Sequence, residues 1–381
     1  MQIYLDHGAT TPVRLEVIDL MTEVMRSQWG NPSSLHEWGE RSTMVIERSR
    51  LQLASLINAD PEGIIFTSGG TESDNMALIG VARQYQTPQH MIISSVEHSA
   101  VRIPAAFLEQ HGWEITRLSV DRTGQVSPQD LARSLRPNTV LVSIITAQNE
   151  VGTIQPIEKL GQICRNADVL FHTDAVQAIG KIKLDVQALP IDLLSISAHK
   201  FYGIQGIGAL YINPLITNKR SLIPLILGGG QERSYRSGTQ AVAAIAGLGI
   251  AAELAEKELF YESARLIKLR DRLYQLLAGI PDLMPTGLMG ADRLSNHLSF
   301  YHKRIDGRRL VREMNFAGIA ISSGSACSSG AIAPSPILLA MGYSETESKN
   351  SIRLTLGKST TDADIDWTAM VMHQISNRQI K

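Results

Sequence analysis

Short apolar runs alternate with amphipathic stretches over the first two-thirds of the chain. Residues 63–67, 91–94, 139–145, 169–172 and 193–197 are nearly continuous in apolar or β-branched side chains, the pattern of parallel strands covered on both faces. Between them the apolar spacing is helical over 72–85, 99–110, 127–135 and 156–166. Strand–helix alternation of this kind predicts an α/β domain with a mainly parallel sheet and helices on both faces.

Near the start, Thr11-Pro12 reads as an N-cap with proline at the first helical position. The helix it opens carries Val17, Leu20, Met21, Val24 and Met25 on one face, and Gly30-Asn31-Pro32 ends it. Residues 241–252, rich in alanine and glycine, read as a buried helix whose small side chains permit close packing. From 253 to 277 a charged amphipathic helix follows as a connector. The order then changes: strand 296–300, helix 307–314, strand 319–322, helix 335–341, strand 352–356 and helix 362–377. This predicts a smaller α+β domain joined by the N-terminal segment, with residues 16–255 forming the large domain and 1–15 with 256–381 the small one. The chain carries no internal repeat.

Composition narrows the classes of function. In 381 residues, 44% are hydrophobic and 19% charged, which fits a soluble protein with a large core. Lysine plus arginine (36) nearly balances aspartate plus glutamate (37), so bulk electrostatics would not hold a nucleic acid. The two cysteines, Cys164 and Cys327, are far apart, which excludes a disulfide scaffold and fits a reducing compartment. The N-terminus lacks the basic region and apolar core of an export signal, and the run 241–252 is shorter than the ~20 residues a membrane span needs. A cytoplasmic protein with neither membrane nor nucleic-acid partner is expected.

The predicted strand ends carry the chemistry, because ligands of open α/β sheets bind beyond them. Ser68-Gly69-Gly70-Thr71-Glu72-Ser73 leads from a strand into a helix, either as a phosphate cup or as an ordinary turn and cap. No nucleotide P-loop pattern occurs. Asp174 either caps a helix or faces a cationic ligand atom, with Gln177 nearby. Lys200, among apolar and aromatic neighbours in Ser197-Ala198-His199-Lys200-Phe201-Tyr202-Gly203, has the setting of a desolvated, nucleophilic amine. An anion cup, an acid and such a lysine together suggest pyridoxal phosphate, and the reading includes no metal.

His98, just past a strand, either stacks on that cofactor and shuttles protons or simply caps a helix. The stretch Gly228-Gly229-Gly230, continuing to Arg236-Ser237-Gly238-Thr239, is either a further phosphate contact or a long loop. Cys164, within a helical apolar pattern, reads as packing. Cys327, set among serines and glycines in Ser322-Ser323-Gly324-Ser325-Ala326-Cys327-Ser328-Ser329-Gly330, reads as a nucleophilic thiol on a mobile, solvated loop. Arg353 inside an apolar strand grips either a substrate carboxylate or a core carboxylate.

Assembled, these residues resemble the cysteine desulfurases of the nitrogen-fixation and iron–sulfur-cluster type, class V, fold-type I aminotransferases. The resemblance runs from Leu5-Asp6-His7-Gly8-Ala9-Thr10-Thr11-Pro12 to Ser351-Ile352-Arg353-Leu354 and includes Gly30-Asn31-Pro32, Thr67-Ser68-Gly69-Gly70-Thr71, Glu97-His98, Asn149-Glu150-Val151-Gly152 and Ser197-Ala198-His199-Lys200. It implies a large domain with a mainly parallel seven-stranded sheet beside a smaller α+β domain. It further implies that Lys200 forms the Schiff base with the cofactor and moves the substrate Cα proton. Asp174 would pair with the ring nitrogen, Gln177 with the ring hydroxyl, and His98 would stack on the ring. Gly70, Thr71, Ser197 and His199 would hold the phosphate, joined by Thr239 of the partner subunit in a homodimer. Asn149 and Arg353 would orient the carboxylate of L-cysteine, with Asn31 assisting, and Cys327 would take the sulfur as a persulfide for an iron–sulfur scaffold or another acceptor.

The Ser-Ser-Gly-Ser-Ala-Cys loop matches the group with the longer cysteine segment. Gln148 stands where many relatives have asparagine, a change expected to be tolerated. Relatives that dock a scaffold through an extended C-terminal tail have more sequence after the last helix, so the resemblance does not carry that contact over. The alternatives are selenocysteine lyase, a plain transaminase, which has no use for Cys327, and a non-catalytic protein that keeps the fold.

Overall fold

The computed structural model describes residues 2–217, 222–324 and 333–378. Among the described residues, thirteen strands form three groups. Strand β1 (Ile3–Tyr4) starts the chain. The large sheet contains β2 (Ile64–Thr67), β3 (His90–Ser94), β4 (Glu114–Leu118), β5 (Thr139–Ser143), β6 (Leu170–Asp174), β7 (Leu193–Ser197) and β8 (Gly208–Ile212). Its order is β2-β8-β7-β6-β5-β3-β4, parallel except for β8, which runs antiparallel to both neighbours. This is the α/β architecture expected. Every residue of β2, β3 and β5 to β8 is buried, as strands covered by helices on both faces must be.

The remaining strands are β9 (Leu283–Pro285), β10 (His297–His302), β11 (Ile319–Ala320), β12 (Ser322–Ser323) and β13 (Ser351–Thr355). A four-stranded sheet runs β12-β13-β10-β9, and β1 pairs in parallel with β11. The N-terminal segment thus joins the C-terminal lobe, whose own core includes Leu5, Leu273, Leu298, Leu310, Ile352 and Met372.

Several elements differ from the sequence expectation. Strands β4 and β8 and the helix Glu37–Leu56 were not foreseen; β8 begins at Gly208, close behind Gly203 and Gly206, and β4 is a half-exposed edge strand. Strand 319–322 divides at Ile321, one part pairing with β1 and the other with β13. The first helix spans Leu15–Ser27 with Arg14 at its N-cap, so Pro12 does not open it. Thr11 instead donates both its backbone N–H and its hydroxyl to the His199 carbonyl, at 3.0 and 2.9 Å. On the face predicted for that helix, Val17 and Val24 are buried but Met25 is exposed.

The two helices expected over 241–277 are one, Val242–Leu277. Its first half packs Ile245, Leu248 and Ala252 into the large-lobe core, and its second half gives Leu266, Leu269 and Leu273 to the small-lobe core. Glycines let it approach its neighbours: a Cβ on Gly247 would stand 2.8 Å from Met21 Sδ, and one on Gly249 2.7 Å from Ser49 Cα.

Candidate active site

The carboxyl ends of the parallel strands open into a cavity of about 240 Å³. Nine residues singled out from sequence line it: Gly70, Thr71, His98, Asn149, Asp174, Gln177, Ser197, His199 and Lys200, together with Gly8, Asp74, Ile145 and Val176. Residues scattered over more than half the chain therefore meet at one place.

The phosphate-cup candidate is the start of the helix Gly70–Ala82. Gly69 precedes it at φ 150°, a conformation that favours glycine, and no side chain caps the helix there. A Cβ on Gly70 would stand 2.6 Å from Val176 Cγ2. The uncapped helix start, with Thr71, Ser197 and His199 on the cavity wall, is a cradle for an anion. Burial lowers the His199 imidazole to about 4, so it contributes as a neutral ring.

Opposite charges gather on another part of the wall. Lys200 Nζ donates to the carbonyls of Gly8 and Ala9, at 2.8 and 2.7 Å. Gln177 Nε2 donates to the same Gly8 oxygen at 2.9 Å. Asp174, at the end of β6, accepts the Val176 N–H at 2.9 Å. Burial raises its carboxyl, while His98, the Val176 N–H and Lys200 oppose that rise.

Asp74 is the site residue that sequence reasoning missed, because its position inside a helical pattern gives no sign of facing a ligand. It is buried, and burial followed by the charge of Asp174 raises its carboxyl well above the ordinary range. His172 Nε2 lies 3.6 Å from Asp74 Oδ1, but burial pushes that imidazole down to about 3, so the two form no ion pair. Asp74 Oδ1 has no hydrogen-bond partner among the described residues. Burial raises both carboxyls; a hydrogen bond with Ser195 opposes the rise of Asp74, and the basic side chains His98 and Lys200 oppose that of Asp174. Two buried acids, one with an unpartnered oxygen, fit a cationic ring atom of a ligand whose anionic group lies in the helix cradle. Asp74, His98 and Asp174 also offer ligand atoms within 4.8 Å of one another, the spacing of a metal site. Lys200, on the same wall, supplies a competing positive charge.

His98 is the helix cap weighed from sequence, and it also faces the cavity. It caps the helix Ser99–Gln110, its Nδ1 accepting from the Ala100 N–H at 3.2 Å, and its ring lines the cavity. Burial lowers its pKa, and because Nδ1 accepts the Ala100 N–H, the ring proton sits on Nε2.

Other candidates lie outside the cavity wall. Arg353 is buried in β13 and bonds to Asp6 Oδ1 at 2.8 Å and the Asn149 carbonyl at 3.0 Å. The core ion pair weighed from sequence is therefore present, yet its buried Nε has no partner among the described residues. Asn31 is exposed and accepts the Ser33 N–H at 3.0 Å, and Thr239 is exposed; neither lines the cavity within this chain. The loop before Thr239 is anchored by Glu232, which is buried against Arg50 at 2.9 Å. Glu232, Arg233 and Ser234 in succession adopt left-handed conformations that disfavour such residues. Cys164 is buried and its thiol is pushed up to about 12 by desolvation, as packing requires. Cys327 and its expected mobile loop lie outside the described residues. No helix among the described residues is long and apolar enough to cross a membrane.

The family described as aminotransferase class-V matches residues 3–367. The protein named cysteine desulfurase IscS of Dictyoglomus turgidum is 45% identical over 376 residues, covering 98% of this chain and 94% of that one. A cysteine desulfurase of Mus musculus is 42% identical, covering 96% of this chain and 80% of its own. Among solved structures, one titled NifS-like protein matches with a TM-score of 0.92 at 34% identity, covering 99% of this chain and all of that one. Another, titled SspA in complex with cysteine, matches with a TM-score of 0.82 at 34% identity, covering 93% of this chain and 99% of its own.

Proposed function

Because the chain belongs to the class-V aminotransferases, in the branch of the cysteine desulfurases, we propose that its cavity is the site of that activity. The protein is a cysteine desulfurase: it converts L-cysteine to L-alanine and retains the sulfur as a persulfide on Cys327, for iron–sulfur cluster assembly and other acceptors. The meeting of Lys200, Asp174, Gln177 and His98 with the uncapped helix start carries this reading.

The residues fit pyridoxal 5′-phosphate. Gly70, Thr71, Ser197 and His199 would hold its phosphate, Asp174 its ring nitrogen and Gln177 its ring hydroxyl. His98 would lie against the ring, and Lys200 would carry the covalent link. When bound, that group supplies an electron sink which acidifies the substrate Cα–H and opens the β-sulfur to attack. Lys200 takes the Cα proton and returns one to the product. Asn149 and Arg353 orient the substrate carboxylate, assisted by Asn31, and the unpartnered Nε of Arg353 supports this role. The Cys327 thiolate attacks the substrate sulfur, so one C–S bond breaks, one S–S bond forms and the carbon skeleton leaves as alanine.

The same reading includes a homodimer in which Thr239 of the partner subunit completes the phosphate site. The strained, anchored turn beside Thr239 supports it. It also includes a cytoplasmic location and the division into 16–255 and 1–15 with 256–381, whose boundary falls within the long helix.

The test adds L-cysteine to purified protein and measures alanine and Cys327-bound persulfide together. Both should form, and Cys327→Ala should keep the lysine-linked cofactor absorption while losing both products. Alanine formed without the persulfide, or unimpaired turnover in the variant, would sink the mechanism.

A further inference from the structure

The small lobe carries a concentration of positive charge that the reaction does not use. Between positions 303 and 313 there are five basic residues and two acidic ones, in a chain whose net charge is −1. Arg308, Arg309 and Arg312 line an open groove of about 620 Å³ together with Asp306, Val311 and Ser323. All three arginines are exposed and lie on the helix Gly307–Phe316.

Local acids leave these guanidinium groups poorly paired. The Asp306 carboxylate caps the helix, accepting the backbone N–H groups of Arg308 and Arg309 at 2.9 and 3.3 Å. Its distance to Arg308 Nε is 3.8 Å, and Glu313 lies 3.9 Å from Arg309 Nε, both too long for hydrogen bonds. Arg312 has no ion-pair partner among the described residues. Planar donor forks in this state suit carboxylates, which they bind through paired hydrogen bonds. The near-zero net charge provides no wider field to hold a polyanion such as RNA.

Ser323 connects the groove to the chemistry. It ends β12 on the groove wall, and Cys327 follows four residues later in the sequence. Four residues of fully extended chain span at most about 14 Å. We infer that this groove docks an acidic segment of the protein that accepts the sulfur. The inference rests on the reading that Cys327 carries the sulfur.

The test uses the holoenzyme and two short synthetic peptides, one alternating Glu and Ala, the other Gln and Ala. Each bears a cysteine activated as a mixed disulfide with thionitrobenzoate. A protein thiolate attacks the peptide sulfur, forming a new S–S bond and expelling coloured thionitrobenzoate, and Cys327→Ser identifies the share due to Cys327. At low salt the acidic peptide should react with Cys327 about tenfold faster than the neutral one, with the difference shrinking as salt rises. In the triple variant Arg308→Ala, Arg309→Ala, Arg312→Ala the ratio should fall towards one, while the neutral peptide's rate and alanine production with a small-thiol acceptor stay unchanged. Arg312→Glu alone should lower the ratio several-fold, which keeps the test open if the triple variant folds poorly. An equal ratio in wild type and variants overturns the inference, as does an RNA oligonucleotide that displaces the acidic peptide through the same arginines. Failure of the wild type to form alanine would instead overturn the functional reading, and would leave the peptide ratio readable.

Discussion

The side-chain nitrogen of Lys200 lies 2.8 Å from the carbonyl oxygen of Gly8, although 192 positions separate them in the chain. Gly8 in turn donates its N–H to Thr355 Oγ1 at 2.7 Å, so the lysine of the large lobe is held by backbone fastened to the small one. A Cβ at Gly8 would stand 3.1 Å from Thr355 Cγ2 and 3.3 Å from the Arg353 guanidinium carbon. Gly8→Val should therefore shift this backbone and lower kcat about tenfold or more, since small misplacements at a reacting group are costly. Gly8→Ala should be milder. Alanine production, compared at equal folded fraction, checks the order.

Asp174→Asn and Asp74→Asn separate the two buried acids. Asp174, whose carboxylate faces the basic side chains His98 and Lys200, should be the greater loss, with activity falling about a hundredfold through the missing charge in a water-poor site. Asp74→Asn should cost far less, because its carboxyl is already driven towards the neutral form. Equal losses in kcat/KM would show that the charge does not rest on Asp174.

Arg353 holds Asp6 and the Asn149 carbonyl and is proposed to orient substrate as well, and its variants should divide the two. Arg353→Lys keeps the charge but loses the planar fork, so KM for cysteine should rise more than kcat falls. Arg353→Ala should also reduce stability by about 2 kcal/mol, as it removes a buried donor from Asp6 and the Asn149 carbonyl. Denaturant unfolding beside steady-state kinetics measures both.

Glu97 predicts how stability depends on pH. Burial pushes its carboxyl up to about 8 from an ordinary 4.5, against the hydrogen bonds from Ser94 and the Ile145 N–H. Between those values the folded chain keeps a proton that the unfolded chain releases. The resulting stabilisation is complete below about pH 4.5 and is lost as pH rises through about 8. Glu97→Gln removes the titration, so the fall in Tm from pH 5.5 to 8.5 should shrink by about 3 °C or more.

Much of the large lobe was legible because buried parallel strands leave unbroken apolar runs, and β7 matches the expected 193–197. Strand β8 was hidden by the glycines around it, since Gly208 belongs at once to a turn-rich stretch and to a strand. The same physics governs the site. Lys200, Asp174 and His98 stand at strand ends, where an ionisable side chain is conspicuous. Asp74 lies one turn into a helix, where an acid ordinarily faces water, and only its tertiary surroundings reveal otherwise. Pro12 misled because its fixed backbone suits extended chain as well as a helix start, and here Thr11 is fastened to His199.

The unbroken helix Val242–Leu277 acts as a spar through both cores. Swinging one lobe as a rigid body against the other would require bending that spar, a far stiffer motion than turning about a slack tether. Substrate entry and product exit must accordingly be carried by side chains and surface segments. Heating should release both lobes in one cooperative transition, because neither can melt without taking half of the shared helix with it.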